Sequence, residues 1–268
     1  MQLQLKWQNR NFTPSPALEP YFLGYRSVVG KGYTNEALPF TIFPDGRAHI
    51  LFHLFIDSLQ QQGTLRSRLT LVGPRSIFKE INRQNRLLTL IFSFRPIGAF
   101  PFFSFPIKEI ADIAVGLEEI WGRGAAECRQ HMMDKVLEGE LDAAVYTLEA
   151  YLLTQLDLCA RARLIHPIVR KSVDWLEKDV GISVATLAKA HGISTRYLHQ
   201  LFTTQVGVGA KRFCRIQRAL STLAQARKGW EYGWADLALT QGYYDQSHMI
   251  DEFQSLLGSS PQKMVDPR

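Results

Sequence analysis

One short pattern occurs twice in this chain, fifty residues apart, and it constrains the fold more than any other feature. In "LAKAHGISTRYLHQLFTTQVG", Leu187 and Ala188 precede Gly192 by five and four residues; in "LALTQGYYDQSHMIDEFQSLLG", Leu237 and Ala238 precede Gly242 by the same steps. Each glycine is followed by a residue whose side-chain oxygen can accept from the free N–H groups that open a helix, Ser194 in one copy and Asp245 in the other. Counted from these caps, the fourth position is apolar (Leu198, Met249), the eighth is Phe (Phe202, Phe253) and the thirteenth is Gly (Gly207, Gly258). Seven matches at fixed offsets predict two copies of one helix-turn-helix unit.

Residue chemistry assigns a role to each position. Ala188 and Ala238 are small where two helices must cross closely. Gly192 and Gly242 end the first helix in a left-handed conformation that other residues adopt reluctantly. Leu198 with Phe202, and Met249 with Phe253, bury one face of the second helix, so the opposite face is left for a partner. In the first copy that face carries Thr195, Arg196, His199 and Gln200, side chains able to donate to and accept from base edges in a major groove.

Charge along the chain points the same way. Residues 180–230 contain no Asp or Glu, yet hold Lys189, Arg196, Lys211, Arg212, Arg215, Arg218, Arg227 and Lys228. From 231 to 268, Lys263 and Arg268 stand against six acidic residues, a net of −4. A basic block without interspersed acids favours a polyanionic partner over a merely solvated surface.

The rest of the chain reads as β structure followed by helices. In "LLTLIFSFRPIG", Leu88, Leu90, Phe92 and Phe94 alternate with Thr89, Ile91, Ser93 and Arg95, and "TLRSRLTLVG" alternates likewise. Pro44, Asp45 and Gly46 supply turn chemistry between two apolar runs. From about 107, Ile110, Ala114, Leu117 and Trp121 recur at helical spacing. Leu141, Val145, Leu148, Leu152, Leu156 and Cys159 follow close to a heptad seam, which serves either a dimer or the helix's own domain. The expected fold class is α+β: an antiparallel β sandwich or barrel over 1–106, a helical linker or dimerisation region over 107–162, and an all-α domain over 163–268 with two helix-turn-helix units.

Several chemistries find no support. His49 and His53 are four residues apart on a strand, about 13 Å at the usual rise, too far to share one metal ion. Cys128, Cys159 and Cys214 are odd in number and scattered, as expected of reduced thiols. No nucleophile motif and no phosphate-cradling glycine loop occurs, so the chain is expected not to be an enzyme and to need no cofactor or metal. The first twenty residues lack a secretory pattern and no long apolar run follows, so a cytoplasmic protein without membrane association is expected.

The two repeated stretches resemble the paired helix-turn-helix units of the AraC/XylS family of bacterial transcription regulators, over roughly 166–268. The resemblance implies an all-helical domain in which a long helix, expected near 210–228, sets two recognition helices into successive major grooves, about 34 Å apart on one face of double-stranded DNA. Carried over by position, base-reading candidates are Thr195, Arg196, His199 and Gln200 in the first unit, with Gln246, Ser247 and Asp251 in the second. Lys211, Arg212, Arg215 and Arg218 are candidates for phosphate contact. Asp251 departs from the basic or neutral residue such regulators often place there, so the first unit is expected to supply most of the binding energy.

The segments "PALEPYFLGY", "FPDGRAHILFHL" and "FRPIGAFPFFSFPIKEIAD" more loosely resemble a companion domain of a subgroup of these regulators. That implies a cupin-like β domain plus helices, sensing a small effector or mediating homodimerisation; contact with RNA polymerase is expected of the regulator as a whole. Control by a protein partner instead of a small ligand stays open at this point.

Overall fold

The computed structural model describes residues 7–30, 39–57, 64–82, 85–159 and 164–265. Among these described residues, eight strands come first, ahead of the α-helices: β1 (Arg10–Phe12), β2 (Phe22–Val29), β3 (Pro39–Ile42), β4 (His49–Asp57), β5 (Thr64–Val72), β6 (Lys79–Asn82), β7 (Arg86–Phe94) and β8 (Ala114–Gly116). Ten helices follow: α1 (Leu117–Trp121), α2 (Arg123–Leu137), α3 (Leu141–Cys159), α4 (Pro167–Lys178), α5 (Val184–Ala190), α6 (Thr195–Gln205), α7 (Ala210–Arg227), α8 (Gly233–Thr240), α9 (Gln246–Leu257) and α10 (Pro261–Val265). An antiparallel β domain is thus followed by a helical one, the α+β class expected.

Six strands form one sheet in the order β1-β2-β7-β4-β5-β8, and β3 pairs with β6 in a second. Alternation along β7 decides which face is buried. Leu88, Leu90, Phe92 and Phe94 are at most 1% exposed, whereas Thr89, Ile91 and Ser93 are half-buried. The register places Phe92 opposite Ile50 and Leu90 opposite Phe52, so the inward sets of β4 and β7 lie side by side. Phe22 stacks on Phe94 with centroids 4.2 Å apart, and Phe102 meets both rings. The aromatic stretch between Phe92 and Phe103 is therefore tightly packed core, each ring contributing about 2–3 kcal/mol on burial.

The Pro44–Gly46 turn links β3 in the small sheet to β4 in the large one. Gly46 sits at φ +72, the left-handed conformation expected of it.

The helical spacing read through Ile110, Ala114, Leu117 and Trp121 is a correction: these residues do not share a helix. Residues 107–110 form one 3₁₀ turn, Asp112 takes φ +63, and Ala114–Gly116 pairs with β5 before α1 begins. A positive φ at a non-glycine residue breaks any helix through the segment. Only Ile110 and Leu117 of the four are buried, while Ala114 is exposed on the edge strand, so the spacing of four, three and four reflects no common face.

The seam on α3 has one resolved use. Leu141, Val145, Leu148 and Leu152 join a single hydrophobic cluster with Trp7, the sheet and α2. Residues on both sides of position 106 accordingly share one core. Trp7 fixes this junction further by donating from its indole N–H to the Val136 carbonyl at 3.0 Å. The expected boundary at 162–163 lies outside the described residues.

Two further clusters make up the helical domain. Val169, Val173, Leu187, Leu198, Phe202, Phe213 and Cys214 form one; Ile216, Ala219, Leu223, Ala238, Met249 and Phe253 form the other. Helix α7 contributes to both.

The β domain also rests on this helical domain. The Arg212 guanidinium Nε–H donates to the Ser76 carbonyl at 2.9 Å, and the Gln217 amide donates to the Asp45 carbonyl at 3.0 Å. Phe78 donates its backbone N–H to the Leu256 carbonyl at 3.0 Å. A β-carbon placed on Gly46 would lie 2.8 Å from the Phe213 ring, and one on Gly258 would lie 2.6 Å from the Phe78 ring. At the first unit, Gly207 lies against Ile107 and Pro74.

Candidate nucleic-acid interface

Helices α5 and α6 form the first unit, α8 and α9 the second, and the local geometry repeats. Ser194 accepts from the Tyr197 N–H at 3.1 Å and Asp245 accepts from the His248 N–H at 2.7 Å, so both second helices open on a side-chain cap. Gly192 and Gly242 lie at φ +64 and +76. The residue after each glycine donates back into the first helix, Ile193 to the Ala188 carbonyl at 3.0 Å and Tyr243 to the Ala238 carbonyl at 2.9 Å. Ala188 and Ala238 are at most 2% exposed at these crossings.

Burial then divides each second helix into two faces. On α6, Leu198 and Phe202 are fully buried while Thr195, Arg196, His199 and Gln200 are exposed together. On α9, Met249 and Phe253 are fully buried while Gln246, Ser247 and Asp251 are exposed. His199 lays its ring against Gly209, just before α7 begins. Tyr197, 41% exposed, is a further large side chain on α6 that spacing did not single out.

The four basic candidates on α7 sit in different surroundings. Lys211 is exposed. Arg212 is turned to Ser76 in the β domain, and burial together with Arg215 draws its pKa down, partly offset by Asp112 and Glu252. Arg215 donates from Nε to Glu252 Oε1 at 2.6 Å, with Arg215 28% and Glu252 9% exposed in their side chains. Arg218 lies over the Tyr243 ring at 5.3 Å. Burial pushes the Tyr243 phenol up to about 12, with Glu252 adding to burial while Thr222, Arg218 and Arg215 oppose it.

Glu252 was not a sequence candidate for any role beyond adding to the acidity beside Asp251. Its burial follows from helical spacing, since it lies three residues after Met249 and four before Leu256, both fully buried. Its pairing with Arg215, thirty-seven residues away, has no local signature. A groove of about 690 Å³ runs across α7 between the two units, lined by Ser183, Lys211, Arg215, His248 and Asp251 among others.

His49 and His53 have partners of their own on the β domain. His49 bridges Ser93 Oγ at 3.1 Å and Asp45 Oδ2 at 3.0 Å, and His53 meets Thr89 Oγ1 at 3.0 Å. No group of three or more potential metal ligands occurs among the described residues. No described helix is long and apolar enough to cross a membrane.

Comparison with known proteins gives two family matches. Residues 187–266 match a family described as a helix-turn-helix domain, and residues 10–116 match a domain of unknown function. No curated protein matches the chain. Among solved structures, the C-terminal domain of AraT, a response regulator from Geobacillus stearothermophilus, is similar at 19% identity. It covers 40% of this chain and 89% of its own, with a TM-score of 0.36. ToxT from Vibrio cholerae is similar at 10% identity, covering 90% of this chain and 97% of its own, with a TM-score of 0.43. A structure of ToxT bound to (E)-4-(8-methylnaphthalen-1-yl)but-3-enoic acid, at 10% identity, covers 90% of this chain and 99% of its own, with a TM-score of 0.47.

Proposed function

We propose that this chain, whose residues 187–266 match a helix-turn-helix family and resemble the paired units of AraC/XylS regulators, is a DNA-binding transcription regulator in which α6 and α9 enter successive major grooves of double-stranded DNA. The observation that carries this reading is the shared local geometry of the two units, each with a capped second helix whose polar face is exposed. A bidentate contact from Arg196 to a guanine edge, with Thr195, His199 and Gln200 beside it, would read sequence in the first unit. Gln246 and Ser247 would do so more weakly in the second, where Asp251 faces phosphates of its own sign. Lys211 is the α7 cation best placed for phosphate contact, because Arg212 and Arg215 are engaged within the protein.

The β domain is proposed as the regulatory part. Its large sheet buries one face against α2, α3 and the aromatic core. The other face carries His49, Ser93, His53, Thr89 and Arg68 as directly paired neighbours. This polar face suits a small effector with hydrogen-bonding groups, and dimerisation would add avidity without one. Homodimerisation, RNA polymerase contact and cytoplasmic location belong to the same proposal.

A salt titration of affinity by fluorescence anisotropy, on DNA selected in vitro, tests the reading. Losing a bidentate base contact costs about 1–3 kcal/mol, so Arg196→Ala is expected to weaken binding by roughly 5- to 150-fold. Asp251→Ala should change affinity by less than about threefold at moderate salt, on the scale of one exposed charge. Equal losses for the two variants would overturn the asymmetry between the units.

A further inference from the structure

Ile97 of the β domain is buried in the first unit's core, and further contacts among the described residues span both helix-turn-helix units. Pro74 and Ile107 lie against Gly207, at the end of the first unit. Ser76, Asp45 and Gly46 meet Arg212, Gln217 and Phe213 on α7. Phe78 meets Gly258 and the Leu256 carbonyl, at the end of the second unit. The exposed polar faces of α6 and α9 are not part of this contact. Docking therefore cannot act by covering the base-reading side chains; it acts on how the two units are held relative to each other.

The contact through Asp45 is connected to the polar face of the sheet. The Asp45 carboxylate pairs with His49 at 3.0 Å, and His49 in turn meets Ser93 on the neighbouring strand. The same Asp45 also accepts the Arg47 N–H at 3.0 Å, which closes the turn. Its main-chain carbonyl is what accepts from Gln217, a 9% exposed residue in the middle of α7. One residue thus supplies both contacts, its carboxylate to His49 and its carbonyl to Gln217.

We infer that the Asp45–Gly46 turn is the coupling element between the two domains, relaying the state of His49 on the sheet to Gln217 on the helix that joins the DNA-binding units. The inference rests on the proposed DNA-binding function and names its regulatory route. A ligand that bonded His49 in place of Asp45 would release the turn, and DNA binding would by reciprocity alter the turn's own stability. Packed elements with two discrete arrangements carry such effects without long displacements.

The test is a double-mutant cycle on the full-length protein, with His49→Gln, Gln217→Ala and the double variant titrated against in-vitro-selected DNA by anisotropy. The relay requires that the two substitutions share one effect: the double variant should bind DNA as either single variant does, leaving a coupling of about fivefold or more. Independent effects that multiply within a factor of about two would overturn the relay while leaving DNA binding intact. Failure of every form, wild type included, to bind selected DNA would instead refute the proposed function. Hydrogen exchange on the wild-type protein gives a second reading that needs no variant to fold. Protection over 44–49 should change when DNA is added, and an unchanged turn would sink the inference.

Discussion

Glu252→Gln is the substitution whose consequences the structure fixes most closely, because it is expected to move two quantities in opposite senses. Glu252 is only 9% exposed in its side chain and holds Arg215 at 2.6 Å. Breaking a buried pair costs about 3–5 kcal/mol when an uncompensated charge is left behind. Arg215 is 28% exposed, so water and counterions recover part of that loss. Gln also keeps an oxygen able to accept from Arg215 Nε. About 2 kcal/mol of destabilisation is the resulting expectation, a fall in Tm of roughly 4–8 °C for a chain of this size. Arg215 would meanwhile lose the carboxylate that offsets its charge, beside the exposed Lys211. One more phosphate neutralised steepens the slope of log affinity against log salt by about 0.9. Differential scanning calorimetry and anisotropy at several salt concentrations measure the two effects on one preparation. An unchanged Tm would show that the ion pair holds nothing together. A lowered Tm with an unchanged salt slope would show that Arg215 does not reach a phosphate.

Three further expectations are simpler. Gly258→Ala places a β-carbon 2.6 Å from the Phe78 ring at φ +76, so it should destabilise by about 1–3 kcal/mol in chemical denaturation, and by more than Gly229→Ala, whose added carbon meets nothing within 4 Å. Burial pushes the Cys128 and Cys214 thiols up to about 12 and about 11, while Cys159 is half-buried, so at pH 8 native protein should react with a thiol reagent rapidly at Cys159 and slowly at the other two. Burial alone would raise the Asp45 carboxyl, but His49 and Arg47 hold it below its usual 3.8. A depressed folded value stabilises the protein above the unfolded pKa and is lost as pH falls through the folded one. Asp45→Asn should therefore lower stability at neutral pH and flatten the loss below about pH 4 in an acid titration followed by circular dichroism.

The helix-turn-helix units were legible in the sequence because everything that makes them is local. A small residue, a glycine, a cap and two apolar positions all fall within about twenty residues, and each has a physical reason to stand where it does. The alternation along β7 was legible for the same reason. Residues 107–121 misled because apolar residues at helical spacing need be neither helical nor buried, as the exposed Ala114 in a strand illustrates. The left-handed Asp112 that breaks the segment has no side-chain signature comparable to a glycine. The cations of α7 show the other limit. Composition correctly located a basic stretch, but the partners of Arg212 and Arg215 lie in Ser76 and Glu252, which only the folded chain brings near. Glu252, which composition counts only as one of six acidic residues after 230, is part of what holds the second unit to α7.

Helix α7 has a consequence for how such a protein can change. Phe213 and Cys214 belong to the first unit's core, while Ile216, Ala219 and Leu223 belong to the second's. The boundary between the cores thus falls around Arg215. Inserting one residue there would turn the second unit by about 100° and advance it by about 1.5 Å relative to the first. Each unit could still complete its own core, yet the exposed polar faces of α6 and α9, proposed to read one side of a duplex, would no longer point the same way. Point substitutions can adjust which bases are read, but the length of this one helix is a ruler that cannot be adjusted in small steps.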